Sequence, residues 1–157
     1  MSDDDELIIT DGRQSETAAA VQRGVGRMMK AAGFACLYEF PLASGRRSDI
    51  IGINPKGLIW IVEIKSSLAD FRADSKWQDY WDFCDALFFA VPTEFPQEVL
   101  PEETGLIVAD AWGAEVLNAP FERKLAAARR KAVSLRFARA AALRLQALHD
   151  PNIIERI

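Results

Sequence analysis

The sequence predicts an α/β fold in which a mixed β-sheet lies between helices, and three observations lead there. The run Leu58-Ile59-Trp60-Ile61-Val62 is apolar on both faces, the pattern of a central strand covered on both sides. Two stretches of helical spacing, over about residues 14–32 and 68–84, bracket it. Further short apolar runs, bounded by Pro and Gly, interleave with the helical stretches rather than segregating from them. With 157 residues, 50% hydrophobic and 27% charged, the chain suffices for one ordinary core. A chain this long buries roughly 70% of the surface its unfolded form exposes, so neither disulfides nor a structural metal is needed.

Each element follows in turn. Residues 1–12, with Asp3, Asp4, Asp5 and Glu6, read as a frayed acidic N-terminus ending in a turn at Asp11-Gly12. Over residues 14–32, Thr17, Ala18, Val21, Val25, Met28 and Met29 recur at helical spacing, and Gly33 is the C-terminal stop. Residues 34–40 form a strand ended by Pro41, and Ser44-Gly45-Arg46-Arg47 a polar turn. A strand over 49–53, a tight turn at Asn54-Pro55-Lys56-Gly57 and a strand over 58–65 come next. Residues 68–84 return to helical spacing through Phe71, Trp77, Trp81 and Phe83. A strand over 85–91 stops at Pro92, a helical turn falls near 96–100, and a strand runs over 105–109. Residues 114–117 pair with that strand as a hairpin across Trp112-Gly113.

Residues 121–149 have high helix propensity. Their basic and apolar side chains spread around the helix, which implies a break near Ser134 or a helix docked only in part. The chain thus divides into an N-terminus (1–12), an α/β domain (13–120) and a basic helical segment (121–157) packed on that domain.

Composition excludes several classes of function. One His (His149) and two isolated cysteines, Cys36 and Cys84, leave no zinc motif, disulfide framework or His-based triad. His149 reads as a helix C-terminal dipole partner, and the cysteines as small buried hydrophobes. No apolar run reaches the ~18 residues of a membrane span, and the acidic start is unlike a signal peptide, so the expected compartment is the cytoplasm. The formal charge of −4 divides into −10 over residues 1–120 and +6 over 121–157. Composition favours a basic helix lying on the acidic face of the body, with a nucleic-acid contact as the second reading.

The chemistry gathers at Ser48-Asp49-Ile50 and Val62-Glu63-Ile64-Lys65-Ser66. Glu63 and Lys65 end a strand, where residues two apart share a face. An antiparallel hairpin about the 54–57 turn sets Asp49 beside Glu63. Facing like charges destabilise a sheet unless something neutralises them, and a divalent cation would. Oxygen-only ligands favour Mg²⁺ or Mn²⁺ over zinc. The plainer reading makes Asp49 and Glu63 solvated strand ends screened by Lys65. Arg46, Arg47, Ser66 and Ser67 add donors suited to phosphate oxygens at the same place.

Asp49, thirteen residues, then Glu63-Ile64-Lys65 on the second strand of a hairpin resembles the PD-(D/E)XK nuclease superfamily, and the element order resembles its restriction-endonuclease-like αβββαβ core. A longer signature is similar to the MmcB family of bacterial DNA-repair proteins. It comprises Ser48-Asp49-Ile50, Glu63-Ile64-Lys65-Ser66-Ser67, Asp70-Phe71-x-x-Asp74, Lys76-Trp77-x-x-Tyr80, Cys84-Asp85 and Phe88-Phe89-Ala90-Val91-Pro92. The superfamily's Pro is Ser48 here, and Lys76-x-x-x-Tyr80 stands where RecB-like members carry Gln-x-x-x-Tyr.

The resemblance implies a metal-dependent DNA endonuclease acting in repair and hydrolysing phosphodiester bonds. It implies Asp49, Glu63 and Lys65 as catalytic residues. It also implies Asp49, Glu63, the Ile64 carbonyl and Glu16 as holders of Mg²⁺ or Mn²⁺, with Glu16 binding directly or through water. Lys65 would orient the attacking water or hold the scissile phosphate. Arg46, Arg47, Ser66, Lys76 and Tyr80 are the candidate DNA contacts. The alternative is a nuclease-fold module that binds DNA or recruits partners with little or no catalysis. DNA and other repair proteins are the expected partners, and the sequence leaves dimerisation open. Among the aromatics most are core, with Trp77 and Tyr80 the exceptions suited to base stacking. Trp112 reads as a packed turn residue.

Overall fold

The computed structural model describes residues 2–10 and 14–153. A six-stranded sheet runs in the order β1 (Ala35–Pro41), β2 (Arg47–Ile53), β3 (Ile59–Ile64), β4 (Ala86–Val91), β5 (Gly105–Ala109) and β6 (Ala114–Asn118). The first three strands are mutually antiparallel. β4 joins β3 in parallel, β5 joins β4 in parallel, and β6 closes as an antiparallel hairpin on β5. This is the expected mixed sheet, and β3 is its central, doubly covered strand.

Two apolar layers enclose the sheet. On one face α2 (Glu16–Ala31) sets Val21, Val25 and Met29 against Ile50, Val62, Ile64, Phe88 and Ile107. On the other, α1 (Asp3–Ile8), α4 (Ala127–His149) and a 3-10 helix (Trp77–Phe83) cover Ile51, Ile59, Ile61, Leu87 and Phe89. The alternation of these strand residues between the two layers is the period-two pattern of a sheet buried on both faces. Ser15 caps α2 by accepting from the Ala18 N–H, and Gly33, with φ 92°, ends it.

Four expectations change. Residues 3–8 are not frayed: Ser2 and Asp5 form a reciprocal capping box, and Leu7 is buried in the core. The expected turn at Asp11-Gly12 lies outside the described residues. The stretch 68–84 is not one helix. It splits into α3 (Leu68–Ala73) and the 3-10 helix, because the Asp74 carboxylate takes the Lys76 N–H and the chain turns out of helical geometry there. Of the two expectations for the C-terminal helix, the break at Ser134 is absent, since the helix runs through 23 residues, and partial docking holds, with Leu135, Leu145 and Leu148 exposed. Trp112 is not packed: it is 78% exposed, with the Arg27 guanidinium 5.6 Å from its ring.

The basic residues of the C-terminal segment mostly bind the body. Arg130 forms a paired contact with Asp85, and Arg139 meets Asp4 at 2.6 Å. Arg136 donates to the Pro41 carbonyl at 2.6 Å and lies 3.4 Å from Asp3. Arg144 donates to the carbonyls of Leu7, Tyr38 and Glu39. Arg123 and Arg129 lie over Trp81 and Phe83. The basic helix on an acidic body is therefore the reading the structure carries.

Candidate functional site

β3 is flanked by antiparallel β2 on one side and parallel β4 on the other, and the carboxylates gather at its C-terminal end. Ile50 pairs with Val62, which sets Asp49 directly across from Glu63. The Asp49 N–H donates to Glu63 Oε1 at 3.2 Å, and the Ile64 N–H donates to Asp49 Oδ2 at 2.8 Å. Lys65 continues the strand line, its N–H donating to the Ala90 carbonyl at 3.0 Å. Its ammonium meets Asp74 Oδ2 at 2.9 Å. These groups open on a cavity of about 410 Å³, lined also by Gln14, Gln22, Glu39, Arg47, Ser66, Asp70 and Tyr80.

Burial governs the charges. Glu63 is 3% exposed and Lys65 7%. Desolvation raises the Glu63 pKa well above its ordinary value, and the neighbouring Asp49 charge adds to that. Desolvation raises Asp49 too, with partial relief from its hydrogen bonds. At Asp74 burial also disfavours the charge, but the Lys65 ammonium and the Lys76 N–H outweigh it, and the pKa lies below the ordinary value. The site thus holds two neighbouring carboxylates whose charge burial disfavours, beside a third that is paired with Lys65.

The donor set accommodates a hard divalent cation. Mg²⁺ is commonly held by one or two carboxylates, with water and substrate oxygens completing the shell. Asp49 and Glu63 are such a pair, linked through the Asp49 N–H that donates to Glu63 Oε1. Among the described residues no group of three or more His, Cys, Asp or Glu side chains converges to hold a metal. Glu16 does not join the pair: it is exposed at the first position of α2 and lines no part of the cavity.

The remaining sequence candidates occupy varied positions. Arg46 stacks 4.8 Å above the Tyr80 ring, with Nη2 3.5 Å from Asp74 and Nη1 3.9 Å from Asp79. Tyr80 is buried and donates its hydroxyl to the Arg47 carbonyl at 3.0 Å, so one ring face is covered by Arg46. Trp77 is core, edge-on to Phe89. Lys76 is exposed, and the Ser66 N–H donates to Asp70 Oδ2 at 3.2 Å.

Sequence reasoning missed two acidic neighbours. Glu39 lies across β2 from Asp49, between the pairs Tyr38–Ile50 and Phe40–Ser48. The hairpin arithmetic that joins Asp49 to Glu63 misses Glu39, because it centres the preceding turn on Ser44–Arg47 and so points to Leu42, whereas the turn closes about residue 44. Asp74 had no comparable signal beyond its place in the Asp70-Phe71-x-x-Asp74 signature.

The fold and this site define an α/β protein with a buried carboxylate pair at the C-terminal end of its central strand. The model of the MmcB-like family, described as DNA repair protein MmcB-like, matches residues 5–152, and the chain belongs to that family. A protein of unknown function from Silicibacter pomeroyi, SPO1766, is 49% identical, with a TM-score of 0.84 over 90% of this chain and 97% of that one. A repair endonuclease from Pyrococcus abyssi aligns with 66% of this chain and 50% of its own length, at 21% identity and a TM-score of 0.40. That likeness is too slight to carry an argument. Among the curated proteins nothing matches.

Proposed function

We propose that the chain serves DNA repair as a nuclease-fold module that holds DNA at the Asp49–Glu63–Lys65 cavity, with little hydrolysis of its own. One observation carries this reading: Lys65, the side chain a hydrolase needs beside the scissile phosphate, is held by Asp74 at 2.9 Å, while among the described residues no third His, Cys, Asp or Glu converges with Asp49 and Glu63 to hold a metal. Family membership supports DNA as the partner. Arg47 and Ser66 line the cavity, Arg46 meets it through Asp74 and Lys76 is exposed beside that contact; these would be the phosphate donors, with Tyr80 supporting Arg46 from below.

A second reading, Mg²⁺- or Mn²⁺-dependent phosphodiester hydrolysis, is favoured by the convergence of Asp49, Glu63 and Lys65 on one cavity. Asp49, Glu63 and the Ile64 carbonyl would hold the cation, which supplies Lewis-acid polarisation of the phosphate and acidifies water. Lys65 would hold the phosphate by its charge, and Glu63 and Asp49 would orient the nucleophile.

A panel of branched, nicked and damaged DNA decides between them, assayed for binding and cleavage in EDTA, Mg²⁺ and Mn²⁺. The module reading predicts equal binding in EDTA and no cleavage above that of Glu63→Ala. Divalent-dependent cleavage abolished by Glu63→Ala and Lys65→Ala would overturn it in favour of the hydrolase.

A further inference from the structure

The neighbourhood of Asp74 holds more than its contact with Lys65. Three donors from three segments converge on its carboxylate: Lys65 Nζ at 2.9 Å to Oδ2, the Lys76 N–H at 3.0 Å to Oδ1, and Arg46 Nη2 at 3.5 Å to Oδ1. An ammonium, a guanidinium and a backbone N–H around one anion make a seat that a phosphate group can also fill. Arg46 is incompletely satisfied there. Its Nε is buried with no hydrogen-bond partner, and its two carboxylate neighbours stand at 3.5 and 3.9 Å, beyond good hydrogen-bond length. The Tyr80 ring, 4.8 Å beneath, holds the guanidinium in place.

Asp74 is itself placed to leave. It sits at the C-terminal end of a six-residue helix, between α3 and the 3-10 helix, on the only stretch that joins them. Its side chain is 15% exposed, whereas Lys65 is anchored by β3 and Arg46 by the turn leading into β2.

We propose that Asp74 is an internal phosphate mimic: its carboxylate fills a phosphodiester subsite formed by Lys65, Arg46 and the Lys76 N–H, and a DNA backbone phosphate displaces it. The proposal rests on the reading that this cavity holds DNA. It assigns a specific anion seat beside the carboxylate pair, and it makes the free protein self-occupied. DNA must then compete with a tethered carboxylate, which lowers affinity and weakens the response to salt, because two of the cations it would engage are already neutralised.

The test compares wild type, Asp74→Asn and Asp82→Asn, binding a short DNA duplex in EDTA across a salt series. Asn at position 74 can still accept the Lys76 N–H, so the turn is kept. Asp82 is exposed on the 3-10 helix and does not line the cavity, so Asp82→Asn measures the generic effect of losing one negative charge. Asp74→Asn should bind about tenfold more tightly than wild type, the worth of one released charge-assisted contact, while Asp82→Asn stays within about twofold. Its plot of log affinity against log salt should steepen by about one to two, from the freed Lys65 and Arg46. Equal or weaker binding by Asp74→Asn, or an equal gain from Asp82→Asn, overturns the proposal. Absence of salt-dependent binding in every protein instead overturns the DNA-holding reading. If Asp74→Asn does not fold, the carboxyl carbon resonance of Asp74 in the wild type is followed as duplex is added. A change to a solvent-exposed value supports displacement, and an unchanged resonance under saturating DNA contradicts it.

Discussion

Glu63 is 3% exposed beside Asp49, so folding removes from water two like charges that the unfolded chain keeps solvated. Burial and that neighbour raise its pKa, which fixes the sign of the stability effect. Between the unfolded value near 4.5 and the raised folded value, stability falls as pH rises, and above the folded value the whole cost is present. Glu63→Gln, which can still accept the Asp49 N–H, should therefore stabilise the metal-free protein at pH 7. A gain of about 1 kcal/mol corresponds to roughly 3 °C in melting temperature for a chain of this size. Adding Mg²⁺ should raise the wild-type melting temperature and leave the Gln variant unmoved, as thermal melts with and without EDTA will show. The Asp49–Glu63 pairing was legible in the sequence because a short turn fixes the register of its hairpin. Glu39 was less legible, because the turn before β2 closes about residue 44 and not about the centre of Ser44–Arg47. Asp74 was not legible, since its contact with Lys65 depends on where the chain leaves α3. Glu39 also has the one positive φ among the described non-glycine residues, 47°. Beyond it the alternation inverts, and Phe40 packs toward Phe137 on α4 rather than beside Tyr38 against α2. Arg144 holds the Tyr38 and Glu39 carbonyls at that point.

At the scale of elements, α2 packs by its small residues as much as by its apolar ones. A Cβ on Gly24 would run into the carbonyl oxygens of Asp110 and Gly113 in the β5–β6 turn, so the helix can approach only as glycine. Gly24→Ala gains helix propensity yet should destabilise by about 1–3 kcal/mol, the range for overpacking against backbone. Chemical denaturation checks the sign, and an unchanged or higher midpoint contradicts the packing account. The strands were legible because their apolar runs are bounded by Pro, Gly and polar turns. The helices were less so. Phe71, Trp77, Trp81 and Phe83 satisfy a single helix on spacing alone, although Asp74 diverts the chain between them. In α4 the inward face carries Arg130, Arg136 and Arg144 bonded to a carboxylate and to carbonyls. A reading that expects an apolar inner face therefore sees a disrupted pattern where the helix is continuous.

For the whole molecule, Asp85 joins the C-terminal segment to the sheet. Its carboxylate takes the Ile59 N–H at 2.8 Å, the Leu125 N–H at 3.0 Å and both Arg130 nitrogens. Burial opposes its charge, but these bonds outweigh burial and hold its pKa below the ordinary 3.8. The stability it contributes is present above that value and is lost as pH falls through the lowered folded pKa. Asp85→Asn leaves Arg130 the Gly57 and Leu125 carbonyls but no carboxylate and should cost about 2 kcal/mol at pH 7, as measured by urea unfolding, with the difference from wild type shrinking below about pH 4. The charge asymmetry of the sequence is spent largely in this way, and removing the residues after 120 should unfold the chain rather than merely weaken DNA binding. The proposed function places the DNA at Arg46, Arg47 and Lys65, beside the carboxylate pair.

That placement is the central claim, and the salt dependence of DNA binding in EDTA tests it most directly. The wild type should bind a short duplex with an affinity that falls linearly in log salt, and the Arg46→Ala, Lys65→Ala double variant should lose most of that binding across the salt series. A folded double variant that binds with the wild-type affinity and slope would place the DNA elsewhere on the molecule and contradict the account.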